Sequence, residues 1–579
     1  MSQSRSSKLG FGRLLGSEQV RILAPLFILC AFIVFYHLGG AALFEPDEGR
    51  NADKARDLLL LKDWVTPYTN FVPALDKPIF FYWMIAIAYK LFGISEFTAR
   101  LPSALSGLAC VALVVFFGRR FFGLREGIWS GLVLISSVEY FLLARIVIFD
   151  MALTLAVTLS LCAFCWAAES ESSGRKKLFY LLMYVGAAVG TLIKGPIGFI
   201  LPGMVVVAYI AATRKWRLLG EMRLLSGTLL FLLITAPWYI WCEVRNPGYL
   251  RYFLWEENFV RYFTPHFNRP GPWYYFLVVL LVGFIPWTLM IPFVLREANW
   301  RDNKTLFLLL WAGLPFVFFS LSSSKLPHYI LPIYPPLALL TGRTIVKILD
   351  ERSQARSWML SLPWITVMVP LALWMVLFYW PGLVPARGRP SFEYVSRTMP
   401  ADYIVVLLLA LIAVAWGSAK GWWVRWVFPV SCLALLLFLC LMAQTMERVS
   451  GLRSSKELAQ EAAGRVRPGE QVVFYDTYPS SLPFYLDFRS PAWIVWSGSK
   501  KSLMGSFYIT EKNPQPAAGY GKVLFTFDQF AQLWKTGNRP LLVFVKKKDL
   551  PKLIQETRSS PEKQLDFADF DLVSNRSIH

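Results

Sequence analysis

Residues 22–43, ILAPLFILCAFIVFYHLGGAAL, run straight into FEPDEGRNADKARDLLLLKDWVTPYTNFVPALDKP over 44–78. The first stretch holds no Asp, Glu, Lys or Arg and is long enough to cross a bilayer, which takes about 20 apolar residues. The basic residues Arg5, Lys8, Arg13 and Arg21 precede it. It exceeds the apolar core of a signal peptide and lacks a small-residue cleavage site, so it reads as an uncleaved first span.

Comparable runs recur at 98–118, 126–144, 150–168, 178–194, 196–212, 224–242, 273–295, 305–322, 327–349, 358–380, 402–417 and 422–443. With the first they predict a mostly α, polytopic membrane protein of about thirteen spans. The segment 79–92 is shorter and ends near Lys90, and reads as a helix at or dipping into the interface. Hydrophobic residues make up 55% of the 579 positions and charged residues 17%, too few charges for a soluble chain. The net charge of +21 does not indicate nucleic acid, because Lys and Arg sit mostly in short loops between apolar runs.

Those loops set the orientation. With the N-terminus in the cytoplasm, inner loops carry Arg119, Arg120 and Arg125, then Arg175, Lys176 and Lys177, then Arg214, Lys215, Arg217 and Arg223. This follows the positive-inside tendency. The long loops 44–97, 243–272 and 381–401 then lie outside, as does the tail. Residues 1–445 read as the membrane domain and 446–579 as a small α/β domain on the periplasmic side. Within the tail, 471–476 and 541–545 read as buried strands, and 454–465 and 549–557 have helical spacing. The seven cysteines all fall in apolar runs, so no disulfide framework is expected, and no zinc motif is spelled.

Charge held on the translocated side suggests a site. Pro46, Asp47 and Glu48 mark a helix start with carboxylates in its first turn. Asp47, Arg50 and Lys54 share one face, and Leu58–Leu61 supply an apolar side, which predicts an amphipathic helix lying on the membrane. For Glu48 and Asp53 the plain capping role competes strongly. Lys77 beside Pro78, entering the aromatic stretch Phe80, Phe81, Tyr82 and Trp83, suits a lipid phosphate, although a snorkelling anchor would use the same residue. Asp150 with Arg145, Lys194-Gly195-Pro196, Lys325-Leu326-Pro327-His328-Tyr329, and Arg261, His266 and Arg269 all fall at the same membrane face.

The pattern Pro46-Asp-Glu-x-Arg50, then Asp63-Trp64, then Lys77-Pro78 with Tyr82-Trp83, resembles the polyprenyl-phosphate-sugar-dependent glycosyltransferases of the GT-C type. These include the protein O-mannosyltransferases and, more closely, the bacterial lipid A aminoarabinose transferases. Asp150, the K-G-P at Lys194, the K-L-P-x-Y at Lys325 and the tail phrase from Tyr475 to Tyr485 continue the likeness in order. The resemblance implies an outward-facing cavity in the bacterial inner membrane that takes a sugar from undecaprenyl phosphate and passes it to lipid A or another envelope acceptor. It implies Asp47 and Asp150 as the acidic catalytic residues. Arg50, Lys77, Tyr82, Lys194, Lys325 and Tyr329 would bind the lipid phosphate and sugar. Asp76 stands where the aminoarabinose transferases tend to have glutamate. Some relatives hold a divalent metal there with a histidine, and His266 is the outer-loop histidine this chain offers. No cofactor is otherwise implied, and the chain is expected to act as a monomer. A transporter or flippase fits less well, since no internal repeat is present and the charges gather at one interface. A silent scaffold for the outer domain would have no use for the cavity residues.

Overall fold

The computed structural model describes residues 17–264, 270–350, 428–467, 469–498, 504–537 and 539–575, with isolated positions between 351 and 427. Most of the described chain before residue 350 is helical. Five of these helices are long and apolar enough to cross a bilayer: Glu96–Phe121, Phe149–Ala168, Ser173–Lys194, Leu224–Arg245 and Asn303–Leu321. A sixth arises if Tyr275–Gly283 and Thr288–Glu297, which meet at 110°, form one broken span.

Among the described residues several of the expected runs take other forms than one continuous helix. The run 126–144 breaks at Ser137 into Leu124–Ser136 and Val138–Leu143. The run 327–349 opens as a 3-10 turn, Pro327–Ile333, before the helix Tyr334–Asp350. Helices Ser17–Phe35 and Ile197–Thr213 form but are short in their apolar part. At Ser137, near Pro286 and over Pro327–Ile333 an apolar run was continuous in composition but not in α-helical backbone, with Pro286 and Pro327 unable to donate to a helical ladder. The runs 358–380 and 402–417, and the loop 381–401, lie outside the described residues. The final run is a helix over Phe428–Ser450, which passes through the boundary expected at 446.

The loop helix Asp47–Leu61 is not a surface helix. Ten of its residues are buried, Glu48, Asp53, Lys54, Arg56 and Asp57 among them. One face rests on the bundle and the other on the C-terminal domain. On the bundle side Glu48 accepts from Arg100 Nε and Nη2 at 2.9 and 2.8 Å and from the N–H groups of Phe44 and Val147. Arg100 spends its other donors on the carbonyls of Leu38, Ala41 and Ala42. A buried ion pair is tolerable when its remaining hydrogen-bonding groups are occupied in this way. Arg145 does similar work, donating to the carbonyls of Ile33, Val34 and Tyr36 at the end of the first helix.

On the other side the tail phrase 475–485 docks on the helix. Glu45 accepts from the Ser481 N–H and hydroxyl at 3.1 and 2.7 Å, and Arg56 donates to the Pro483 carbonyl at 2.5 Å. Gly49 makes the approach feasible, since a Cβ there would lie 2.6 Å from the Ser481 nitrogen. The tail itself folds around a six-stranded sheet. Its spatial order is Leu524–Phe525, Trp493–Val495, Gln471–Tyr475, Leu541–Lys546, Phe570–Ser574 and Glu562–Phe567. The first four strands are parallel and the last two join antiparallel. Helices Lys456–Ala463 and Leu550–Thr557 fall within the segments whose spacing predicted them. The two central strands are apolar and buried over Val472–Tyr475 and Leu541–Val545 because helices and loops cover both sheet faces.

Candidate active site

A cleft of about 700 Å³ opens where the first turn of the loop helix, the segment 76–82, the helix ends at Asp150 and Lys194, the turn 326–329 and the tail segment 505–507 converge. Arg50 and Asp47, three apart on the loop helix, pair at 2.5 Å, and the Asp47 side chain is half exposed. Arg50 Nη1 also donates to the Gly505 carbonyl at 2.8 Å. Lys54, one turn deeper, is buried and donates to the Ala74 carbonyl at 3.3 Å. Burial pushes its ammonium down to about 8, against the pull of Asp76.

Asp76 accepts at one oxygen from the Tyr252 hydroxyl at 3.1 Å and from the N–H groups of Phe507 and Tyr508 at 3.1 and 3.3 Å. Burial opposes its charge, yet Lys54, the Ser506 hydroxyl, Lys77 and Arg50 together hold its pKa below the usual carboxylate value. Lys77 and Arg261 both close on one buried carboxylate, Glu257. Burial draws the Lys77 ammonium down, and Glu257 draws it back up. Arg261 Nη2 lies 3.1 Å from the Tyr329 hydroxyl. Glu257 and Arg261 reach the cleft from a π-helical turn, Tyr252–Val260, and the short helix that follows it.

On the opposite wall Asp150 stands in the first turn of Phe149–Ala168 and Lys194 in the last turn of Ser173–Lys194. Each charge suits its helix end, and the two meet at 2.5 Å. His328 Nε2 is 3.7 Å from the other Asp150 oxygen, and Lys194 sits 4.5 Å above the Tyr329 ring. Tyr82 is buried beneath, edge-on to Phe149 and facing Lys54 across 5.6 Å.

Seven of the eight residues proposed from sequence line this cleft: Asp47, Arg50, Lys77, Tyr82, Asp150, Lys194 and Tyr329. Lys325 does not. The chain turns into the 3-10 segment directly after it, so Tyr329 faces the cleft while the Lys325 ammonium folds back on the Ser322 carbonyl at 2.6 Å. Arg145, expected beside Asp150, is occupied at the end of the first helix. His266 and Arg269 lie outside the described residues. Among the described residues the histidine that reaches the cleft is His328, whose signal was its place beside Tyr329 in the K-L-P-H-Y motif. Glu257 had only weak sequence signal, and Gly505 and Phe507 had none.

Asp76 keeps its other oxygen, Oδ2, buried and without a hydrogen-bond partner among the described residues. Its neighbours are N–H, hydroxyl and ammonium donors, and among the described residues no three His, Cys, Asp or Glu side chains are placed to hold a metal ion.

Residues 76–241 match the family described as dolichyl-phosphate-mannose-protein mannosyltransferase. Over 424 residues the chain is 30% identical to the undecaprenyl phosphate-alpha-4-amino-4-deoxy-L-arabinose arabinosyl transferase of Erwinia tasmaniensis, covering 72% of this chain and 75% of the relative. The chain belongs to this arabinosyl transferase family. A second member of the arabinosyl transferase family, from Edwardsiella ictaluri, is 32% identical over 345 residues, or 58% of this chain. That match spans 61% of the Edwardsiella protein's length. The family's fold is also seen in the crystal structure of ArnT from Cupriavidus metallidurans bound to undecaprenyl phosphate. It superposes with a TM-score of 0.82 at 26% identity, covering 96% of this chain and 98% of that one.

Proposed function

We propose that this protein transfers 4-amino-4-deoxy-L-arabinose from undecaprenyl phosphate to lipid A at the periplasmic face of the bacterial inner membrane. One observation carries the reading: Lys77 and Arg261 converge on Glu257 beside the Tyr329 hydroxyl, a cationic corner already compensated by one carboxylate. Such a corner suits a phosphate that gains charge as it leaves. The arabinosyl transferase relatives and the ArnT complex with undecaprenyl phosphate support the same chemistry.

An acceptor oxygen attacks the anomeric carbon. The bond from that carbon to the phosphate oxygen breaks, and its electron pair stays on the phosphate held by Lys77 and Arg261. Single displacement inverts the anomeric centre. Asp47, paired with Arg50 at the open side of the cleft, faces the acceptor. If the acceptor oxygen belongs to a lipid A phosphate it is already ionised, so Asp47 orients rather than deprotonates. If it belongs to a hydroxyl, Asp47 is the general base. Asp150, clamped by Lys194 and near His328, orients the sugar, and Tyr82 floors the site. The amino group of the sugar is a cation at neutral pH and suits a carboxylate-bearing wall.

An odd count of thirteen spans with a cytoplasmic N-terminus would put the loop 44–97 and the C-terminal domain together in the periplasm. That agrees with both lining one cleft. The protein is proposed to act as a monomer. The test is reconstitution of the full chain in nanodiscs with the undecaprenyl-phosphate aminoarabinose donor and lipid A. Mass spectrometry is expected to show lipid A carrying the added sugar. Release of free sugar only, or modification of a protein or polymer acceptor in its place, would overturn the lipid A assignment.

A further inference from the structure

The C-terminal domain touches the first loop, 44–97, at several residues that do not line the cleft. Asn70 exchanges two hydrogen bonds with the backbone of Ala492, both at 2.8 Å, and the Ala517 N–H donates to the Phe71 carbonyl at 2.9 Å. With the Glu45–Ser481 and Arg56–Pro483 contacts, these hold the domain in place. The segment 505–508 makes a different kind of contact. Its groups meet charged side chains of the cleft itself: the Gly505 carbonyl takes Arg50 Nη1, and the N–H groups of Phe507 and Tyr508 take Asp76. Arg50 is thus held at both ends of its guanidinium, Nη2 on Asp47 and Nη1 on Gly505.

Gly505 has a φ of +71°, and a Cβ placed on it would lie 2.0 Å from Arg50 Nη1. The atom it would meet is the tip of a flexible side chain, not backbone. An added methyl group would therefore displace the guanidinium before it disturbed the domain.

We propose that the C-terminal domain is a working wall of the cleft, with the Gly505 carbonyl as a positioning group that aims Arg50 and, through it, Asp47. The inference rests on the transferase reading above. A glycine is required here for two reasons, the left-handed backbone and the room it leaves for Arg50. The bundle residues alone leave Arg50 with one anchor, so the site is complete only when the segment 455 positions away in the chain is docked.

The test is a double-mutant cycle on the full chain in nanodiscs, reading kcat and KM for donor together with thermal unfolding. Gly505→Ala is expected to lower kcat by about tenfold or more, the scale on which small misplacements act, with the melting transition lowered slightly and by the same amount with Arg50 or Lys at position 50, since the left-handed backbone strains any Cβ there. In an Arg50→Lys background, whose shorter head does not reach the added methyl, the same substitution is expected to change kcat less than twofold, because coupled residues are non-additive. A wild-type rate for Gly505→Ala, or the same fold-loss in both backgrounds, would overturn the proposal. A measurement independent of that variant is amide exchange: Arg50→Lys is expected to speed exchange over 504–512, and unchanged protection there would also overturn it. Failure of the wild-type protein to transfer sugar would instead strike the transferase reading, while the exchange measurement still judges the contact.

Discussion

Asp150 Oδ1 and Lys194 Nζ lie 2.5 Å apart, joining the first turn of one helix to the last turn of the next at the end of the helix pair away from their connection. The Asp150 side chain is 2% exposed and that of Lys194 12%, so each charge depends mainly on the other and not on water. Removing one member of such a pair strands the other, at about 3–5 kcal/mol. Lys194→Ala is expected to lower the melting temperature and to cut sugar transfer by about 10²-fold. Lys194→Arg, which keeps the charge, should recover most of the stability. Unfolding scans and transfer assays on the same preparations check both.

Lys77 and Arg261 should act on the donor more than on the acceptor. Lys77→Ala and Arg261→Ala are each expected to weaken binding of undecaprenyl phosphate by about tenfold or more, since hydrogen bonds to charged groups contribute about 1.5–3 kcal/mol. Titration of the lipid phosphate into each variant reads this directly. An unchanged dissociation constant in both variants would move the phosphate elsewhere.

Adjacent residues of the first loop should behave oppositely. Asp47→Asn leaves a half-exposed position of the same shape and is expected to fold normally while losing transfer. Glu48→Ala removes the acceptor of two Arg100 bonds and of the Phe44 and Val147 amides, stranding a buried guanidinium. That variant is expected to lose about 3–5 kcal/mol and to accumulate poorly in membranes. Membrane yield and transfer per folded molecule separate the two cases.

Lys54 gives the cleft a pH dependence. Burial lowers its pKa in the folded chain to about 8, below the ordinary lysine value of 10.5. The folded state therefore holds fewer protons than the unfolded one between these values. Stability from this group accordingly rises as pH climbs through that window, and its cost is fully present below about 8. Affinity for the lipid phosphate should move the other way, falling above pH 8 as one positive charge leaves the cleft. Lys54→Met is expected to flatten both profiles, read by unfolding and by lipid titration against pH.

Much of this was legible in the chain itself. Apolar runs divided by basic loops specify a helical membrane protein, because the bilayer demands length and penalises charge. The charges of 45–78, kept where they are costly, pointed to the first wall of the site. Short motifs at Lys77, Asp150, Lys194 and Tyr329 supplied others, since side chains at helix ends are positioned by local backbone alone. What the chain did not show were the breaks at Ser137 and near Pro286, the retreat of Lys325 onto Ser322, and the burial of the loop helix between two domains. It did not show that Glu257 stands between Lys77 and Arg261, or that Gly505 meets Arg50. Glu257 and Arg261 are four apart, but Lys77 with Glu257 and Arg50 with Gly505 are contacts 180 and 455 residues apart in the chain, and no periodicity or spacing encodes them. They exist only because packing brings the segments to one place, where burial then makes each unpaired charge costly enough to require its partner.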